Sequence, residues 1–232
     1  DPRRRPQPEE GPLDLRYEDE WMLVVNKPSG IVVHPTYKNT SGTLLNAVLW
    51  HVRDRASAQP GILTRLDKGT SGLVVIALTP QVHAAMQKDA AAGRTCKRYL
   101  AIVSGSPEPR EGRIALPLAR DPGDRRRVIV TPAGARCETR YEVLSGSEDH
   151  SVVQCELVTG RTHQIRVHLS AAGWPILGDE VYGKPDARIA RQALHAWRVA
   201  LPHPATRQRI EFESPLPDDM RGLANEELRT KN

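Results

Sequence analysis

A chain of 232 residues with 39% hydrophobic and 26% charged residues has the make-up of a folded protein, which excludes a mainly disordered one, and suits one large or two small domains. The formal charge is +5, and Lys supplies only seven of the 33 basic residues, so Arg, whose planar fork fits phosphates and base faces, dominates a surplus that favours a polyanionic partner. No run of about 18 apolar residues is available to span a membrane, the opening DPRRRPQPEEGP lacks a signal-peptide core, and Cys96, Cys137 and Cys155 form no CxxC pair, so a reduced, cytoplasmic setting is expected.

In chain order, residues 1–12 are Pro-rich and charged without apolar periodicity and read as a flexible tail or linker remnant, with one folded domain over residues 13–232. Leu23–Val25 reads as a short strand, NKPSG as a turn, and Ile31–Val33 as the second strand of a hairpin. The unbroken apolar run Gly72–Leu78 predicts a strand buried on both faces. Thr79 as N-cap, Pro80 as first helical residue and Gly93 beyond the end delimit a helix with Val82, Ala85, Met86 and Ala90 as its apolar stripe. Tyr99–Val103, Arg140–Leu144 and Ser151–Val158 are β-branched or aromatic runs separated by Gly, Pro and Ser, and read as strands. Thr162–Ala172 predicts a second helix closed by Gly173 and Pro175, with Ile165, Leu169 and Ala172 on one face and Arg166 about a quarter-turn away. Several strands with few helices and no internal repeat point to an α+β fold.

The segment GILTRLDKGTSGL, residues 61–73, sets Arg65, Asp67, Thr70 and Ser71 between apolar stretches bracketed by Gly, the composition of a loop that presents polar groups from a rigid support. Taken alone, Asp67 reads as a turn residue held by Thr70 or Ser71. Its context resembles something more specific. TRLDKGTSGL is similar to the catalytic motif H-R-L-D-x-x-T-S-G-L of the RluA family of pseudouridine synthases. VVNKPSGIVVHP at 24–35, KRYLAIV at 97–103, TGRTHQIRVHL at 159–169, ILGDEVYG at 176–183 and RQALHAWRVALPHP at 191–204 resemble further segments of that family in the same order.

The resemblance implies the pseudouridine synthase fold, a mixed and largely antiparallel central sheet with flanking helices and a catalytic cleft holding Asp67. It implies an isomerase that breaks the N-glycosidic bond of a uridine, rotates the base and rejoins it through carbon. That reaction needs no redox or group-donor cofactor, and none is expected. Asp67 is the implied catalytic carboxylate, adding to the uracil ring or attacking the ribose carbon. A carboxylate beneath a flipped base needs a cation to stay ionised, and Arg166 is the Arg that pairs with it in the family. Tyr99 matches an active-site Tyr that lies against the target base and assists its proton transfer. Arg65 matches an Arg inserted where the flipped nucleotide has left the stack. Thr64 stands where the motif has His, and Thr cannot stack on a flanking nucleotide as imidazole does.

For RNA binding, Lys97, Arg98, Arg125, Arg126 and Arg127 are the candidate phosphate contacts, against the plainer reading of a solvated charge run. His163 and His168 stand five residues apart, roughly 140° around a helix, so no metal site is expected from them with Asp179 and Glu180. RLDKGTSGL and the ending FESPLPDDM are most similar to the RluC/RluD branch, which implies structured RNA, in particular 23S ribosomal RNA of the large subunit, as the partner. The competing readings are a tRNA or dual-specificity synthase and a noncatalytic RNA-binding module on the same fold. Members of that branch often carry an N-terminal S4 domain, absent from this sequence; no protein partner is implied and a monomer is expected.

Overall fold

The computed structural model describes residues 6–224, in the order β1 (Leu15–Glu18), β2 (Met22–Lys27), α1 (Leu44–His51), β3 (Gly61–Ile62), β4 (Ser71–Ala77), α2 (Pro80–Ala91), β5 (Cys96–Ser104), β6 (Glu111–Ile114), β7 (Leu118–Arg120), β8 (Val128–Val130), β9 (Thr139–Gly146), β10 (His150–Leu157), α3 (Gln164–Ala171), β11 (Leu194–Pro202), β12 (Arg209–Glu213) and α4 (Asp218–Arg221). They form two compact units. The first runs to Thr95 and takes in Arg198–Ser214, and the second comprises Cys96–Trp197 with the residues that follow Ser214.

In the first unit β4 is buried along its whole length, as its unbroken apolar run requires. It pairs antiparallel with β2, from Met22↔Ala77 to Lys27↔Gly72, and β2 pairs in turn with β1. The short β3 pairs with Ile76 and Ala77, β11 also neighbours β4, and β12 pairs antiparallel with β11. Side chains alternate across a strand, so Met22 and Val24 meet Leu73, Val75 and Ala77 on one face, where Val82 and Met86 of α2 and Val199 and Leu201 of β11 complete the core. Each Val, Leu or Met side chain among them contributes roughly 1.5–3 kcal/mol on leaving water.

The expected hairpin partner at Ile31–Val33 is not a strand. Both edges of β2 are taken, by β1 and β4, and the Val32 and Val33 carbonyls instead accept from Leu44 and Leu45 at the start of α1. That helix, not anticipated from the sequence, opens with a capping box of Thr43 and Asn46. Part of the expected tail lies against it: Glu9 N–H donates to the Asn46 carbonyl, Asn46 Nδ2 donates to the Gln7 carbonyl, and Gly42 N–H donates to the Glu9 carboxylate. Residues 1–5 fall outside the described residues.

The ends of α2 follow the sequence signals. Thr79 Oγ1 accepts from Val82 N, Pro80 opens the helix, and Gly93, just past it, adopts φ +72°, a conformation that favours Gly. The buried stripe differs from expectation: Ala85 is exposed, and Val82, Met86 and Asp89 face inward at i, i+4 and i+7. Asp89 is tolerated there because Arg207 and Arg94 both donate to its carboxylate at 2.7–2.9 Å.

The second unit is centred on β5 and β10, antiparallel from Arg98↔Glu156 to Ser104↔His150, with β9 and then β6 added beyond β10 and β11 beside β5. A separate ribbon, β7 with β8, pairs antiparallel from Leu118↔Val130 to Arg120↔Val128. Helix α3 begins two residues later than expected, after His163 in the left-handed region at φ 54°, and it is not amphipathic: Gln164 through Leu169 are all buried. Its polar groups are buried because each has partners. Gln164 donates to the Glu138 carbonyl and Thr139 Oγ1 and accepts from Thr159 Oγ1 and Arg161 N, while His168 bonds Thr139 Oγ1 and the Leu116 carbonyl. The α+β class and the antiparallel character of the sheet are as expected.

The hydrogen bonds from Arg207, followed by those from Arg94, lower the Asp89 carboxyl from 3.8 to about 2. Its contribution to stability is therefore complete above the unfolded value near 4 and lost as pH falls through about 2. Thermal melts between pH 4 and pH 2 should show wild type losing more stability than Asp89→Asn, which lacks the titrating group; parallel losses would remove this linkage.

Candidate active site

Residues 63–70 join β3 to β4 and carry Asp67. Leu63 N–H donates to the Val75 carbonyl, and Thr64 Oγ1 accepts from Val75 N at 3.0 Å, so Thr64 prolongs the β3–β4 pairing with its hydroxyl turned to the sheet backbone. The chain then turns through Asp67–Thr70, whose Thr70 N–H donates to the Asp67 carbonyl at 3.1 Å. Asp67 is half-buried, Arg65 and Lys68 are exposed, and Thr70 and Ser71 are buried.

The turn after β2 braces this loop from beneath. Lys27 is 0% exposed, and its ammonium donates to the carbonyls of Pro28 at 2.8 Å, Ile31 at 2.8 Å and Lys68 at 3.3 Å. Gly30 N–H also donates to the Lys68 carbonyl, at 2.8 Å, and Ser29 Oγ donates to the Gly69 carbonyl at 3.1 Å. Gly30 sits at φ +88°, so the turn that aims its N–H at the loop requires Gly. The two residues following Asp67 are thus held by three donors from NKPSG. His34, further along the same segment, has its pKa lowered by burial and then by the charges of Arg65 and His83, so a neutral imidazole stands near the Arg65 guanidinium.

Tyr99 and Arg166 belong to the second unit. Tyr99 is buried on β5 opposite Cys155 of β10. Arg166 is buried rather than a surface Arg of an amphipathic helix, at 6% exposure. Its Nε and Nη2 donate to the two Asp179 oxygens at 2.7 and 2.8 Å, and its guanidinium lies over the Tyr182 ring, 5.0 Å from the centroid. Burial pushes the Asp179 carboxyl up, but bonds and charge from Arg166, with the Val181 and Tyr182 N–H groups, bring it below its usual value. Tyr182 joins β8 to α3: its OH accepts from Val128 N on β8 and bonds Nδ1 of His163, the residue that caps α3, each at 2.8 Å, and its carbonyl accepts from Ser170 Oγ of α3. These framing roles of Asp179 and Tyr182, like that of Lys27, were not read from the sequence. The only signals were a Lys ending an apolar strand and the polar residues in ILGDEVYG.

The expected phosphate contacts differ among themselves. Arg125, Arg126 and Arg127 are exposed on the loop between β7 and β8, with Arg126 forked onto Asp124 and Arg127 over the Tyr182 ring at 5.7 Å. Arg98 donates to Glu156 at 3.2 Å, and Lys97, half-buried beside Gly160, has its pKa lowered by desolvation. His163 and His168 make the contacts given above, and among the described residues no three His, Cys, Asp or Glu side chains come together as a metal site.

The sequence profile described as RNA pseudouridylate synthase matches residues 21–171. The chain is 40% identical over 94% of its length, and 73% of the relative's, to ribosomal large subunit pseudouridine synthase D of Zymomonas mobilis. The chain belongs to the RNA pseudouridylate synthase family. A synthase D of Pseudomonas aeruginosa is 43% identical over 89% of this chain and 69% of its own. In structure, human RNA pseudouridylate synthase domain containing 1 superposes with a TM-score of 0.72 at 26% identity, covering 89% of this chain and 86% of that one. The protein is accordingly an RNA pseudouridine synthase of the RluA type, an isomerase, built on that family's fold.

If Lys27 fixes the Asp67 loop, Lys27→Met should cost about 3 kcal/mol, since charge-assisted hydrogen bonds are lost and buried carbonyls left without a donor. Hydrogen exchange should quicken at residues 66–72 more than in β4. Unchanged exchange there would show that the loop stands without the ammonium.

Proposed function

We propose that this synthase converts uridine to pseudouridine in the large-subunit, 23S, ribosomal RNA, with Asp67 as the reacting carboxylate and with Tyr99 and Arg166 as the aromatic residue and cation of the same reaction. The observation that carries the reading is Asp67 itself, a carboxylate on a loop whose next two residues are bonded to the buried Lys27 ammonium, Gly30 N–H and Ser29 hydroxyl. A nucleophile held in this way spends little free energy on being positioned when the base arrives. The synthase D relatives act, by their names, on the large ribosomal subunit, which supports the choice of RNA.

The reaction balances without a co-reactant. The bond from C1′ to N1 breaks, the uracil turns, a bond from C1′ to C5 forms, and the proton leaving C5 is replaced by one gained at N1. Asp67 serves by adding to the ring or by holding C1′ as an ester until the turned base displaces it. Tyr99, with a flat ring and one polar end, suits contact with the base and relay of the C5 proton. Arg65, exposed two residues before Asp67, suits the gap left in the stack.

Asp67→Asn keeps the shape and removes the nucleophile, so it should abolish pseudouridine formation on ribosomal RNA transcripts while RNA affinity stays within about twofold. Normal turnover by a preparation of that variant, shown by mass spectrometry to be free of deamidation back to Asp, would refute the assignment.

Arg65→Ala should slow turnover strongly on structured RNA and much less on a short unstructured strand, because flipping a stacked uridine costs a few kcal/mol that a partly exposed one does not. Equal losses on both substrates, with a salt dependence flatter by about one unit, would instead make Arg65 a plain phosphate contact.

A further inference from the structure

The segment between the Lys27 turn and α1 carries a feature that the reaction chemistry above does not use. Thr36 and Asn39 pair through both backbone hydrogen bonds, Thr36 N–H to the Asn39 carbonyl at 2.7 Å and Asn39 N–H to the Thr36 carbonyl at 3.2 Å. Thr36 Oγ1 ties the same two residues again, accepting from Asn39 N and Nδ2. Only Tyr37 and Lys38 remain between them, as the two residues of a tight reversal. Tyr37 is 84% exposed, by far the most exposed large hydrophobic side chain among the described residues, and Lys38 beside it is exposed as well. From His34 to Gly42 the segment contains no acidic residue.

Its base is fixed where the target nucleotide would be handled. His34, at the start of the segment, lies close enough to Arg65 for that charge to lower its pKa, and the Ile31 carbonyl holds the Lys27 ammonium that supports the Asp67 loop. Tyr37 is three residues from His34, so their Cα atoms are at most about 11 Å apart. Stacked nucleotides in one strand rise about 3.4 Å each, so Tyr37 lies within about three nucleotides of His34, whose imidazole senses the Arg65 charge.

We propose that the Tyr37–Lys38 turn is a nucleotide-binding subsite, in which the Tyr37 ring stacks on a base flanking the target uridine and the Lys38 ammonium meets the adjoining phosphate. The proposal rests on the assignment of Arg65 and Asp67 to the target uridine. A rigid aromatic at a turn tip loses little entropy on stacking, every base offers a face to it, and an ammonium one residue away suits the backbone that accompanies that face. Such a contact lies beside the flipped nucleotide and acts on binding rather than on bond-breaking.

The test uses the full chain with Tyr37→Ala, Tyr37→Phe and Lys38→Ala. Affinity for a 12-nucleotide uridine-containing single strand is read by fluorescence anisotropy over a salt series, and turnover on ribosomal RNA transcripts is read in parallel. Tyr37→Ala should weaken binding roughly tenfold with an unchanged salt slope, and Tyr37→Phe should restore it to within about twofold. Lys38→Ala should flatten the salt dependence by about one unit. Turnover by Tyr37→Ala should show the loss in KM, with kcat preserved. A Tyr37→Ala protein that binds like wild type, a Tyr37→Phe protein as weak as Tyr37→Ala, or a wild type that does not bind the strand would each overturn the proposal. Failure of the broader functional reading looks different: no pseudouridine formed by wild type, while the binding ratio of Tyr37→Ala to wild type still decides whether the ring stacks.

Discussion

The Lys27 ammonium must find oxygen acceptors inside the first unit, and the shape of the loop that carries Asp67 follows from how it finds them. A fully buried cation stripped of water is penalised by several kcal/mol unless hydrogen bonds replace its hydration. Its acceptors include the Pro28 and Ile31 carbonyls of its own turn and the Lys68 carbonyl, from the residue after Asp67. The turn and the loop therefore form together. A conformation that swings the Lys68 carbonyl away removes an acceptor from the ammonium and releases the Gly30 N–H as well, so both groups oppose the same displacement.

The second unit solves a similar problem with different groups. Arg166 is a buried cation too, but its delocalised guanidinium binds a forked carboxylate, Asp179, and lies over the face of Tyr182. Ammonium suits a cage of converging carbonyls and guanidinium suits a plane with a matching edge, so the two residues are not interchangeable between these settings. Because the Tyr182 hydroxyl also accepts from Val128, the exposed Arg125–Arg127 loop is attached, through one side chain, to the helix that bears Arg166. A displacement of the ribbon would thus bear directly on the Tyr182 ring beneath the guanidinium.

What could be read from the sequence follows from how local each signal is. β4 and α2 were legible because a seven-residue apolar run, a Thr-Pro start and a Gly stop act through neighbours in the chain. The supposed strand at Ile31–Val33 failed because partner choice decides strands, and β2 already had two. On α3 the expected stripe residues Ile165 and Leu169 are buried, but Gln164, Arg166 and His168 are buried as well, with partners supplied by distant segments, and periodicity takes such residues for solvent-exposed ones. Asp67, Tyr99 and Arg166 were picked out by resemblance in motif rather than by spacing. Lys27, Asp179 and Tyr182, whose roles are to hold other groups, leave no pattern that a reading along the chain can separate from ordinary polar residues.

The first unit is not contiguous in sequence. Val199 and Leu201, which pack with Val75 of β4, and Phe212, which lies against Tyr17 of β1, are made long after the strands they meet. At roughly 5–20 residues per second, the ribosome delivers them on the order of ten seconds after β4. Until then the nascent N-terminal stretch has the Asp67 loop but lacks β11, which neighbours β4, and β12, which pairs with β11. A stalled or truncated translation product therefore carries the Asp67 loop and its Lys27 brace but lacks the residues that complete the core of that unit.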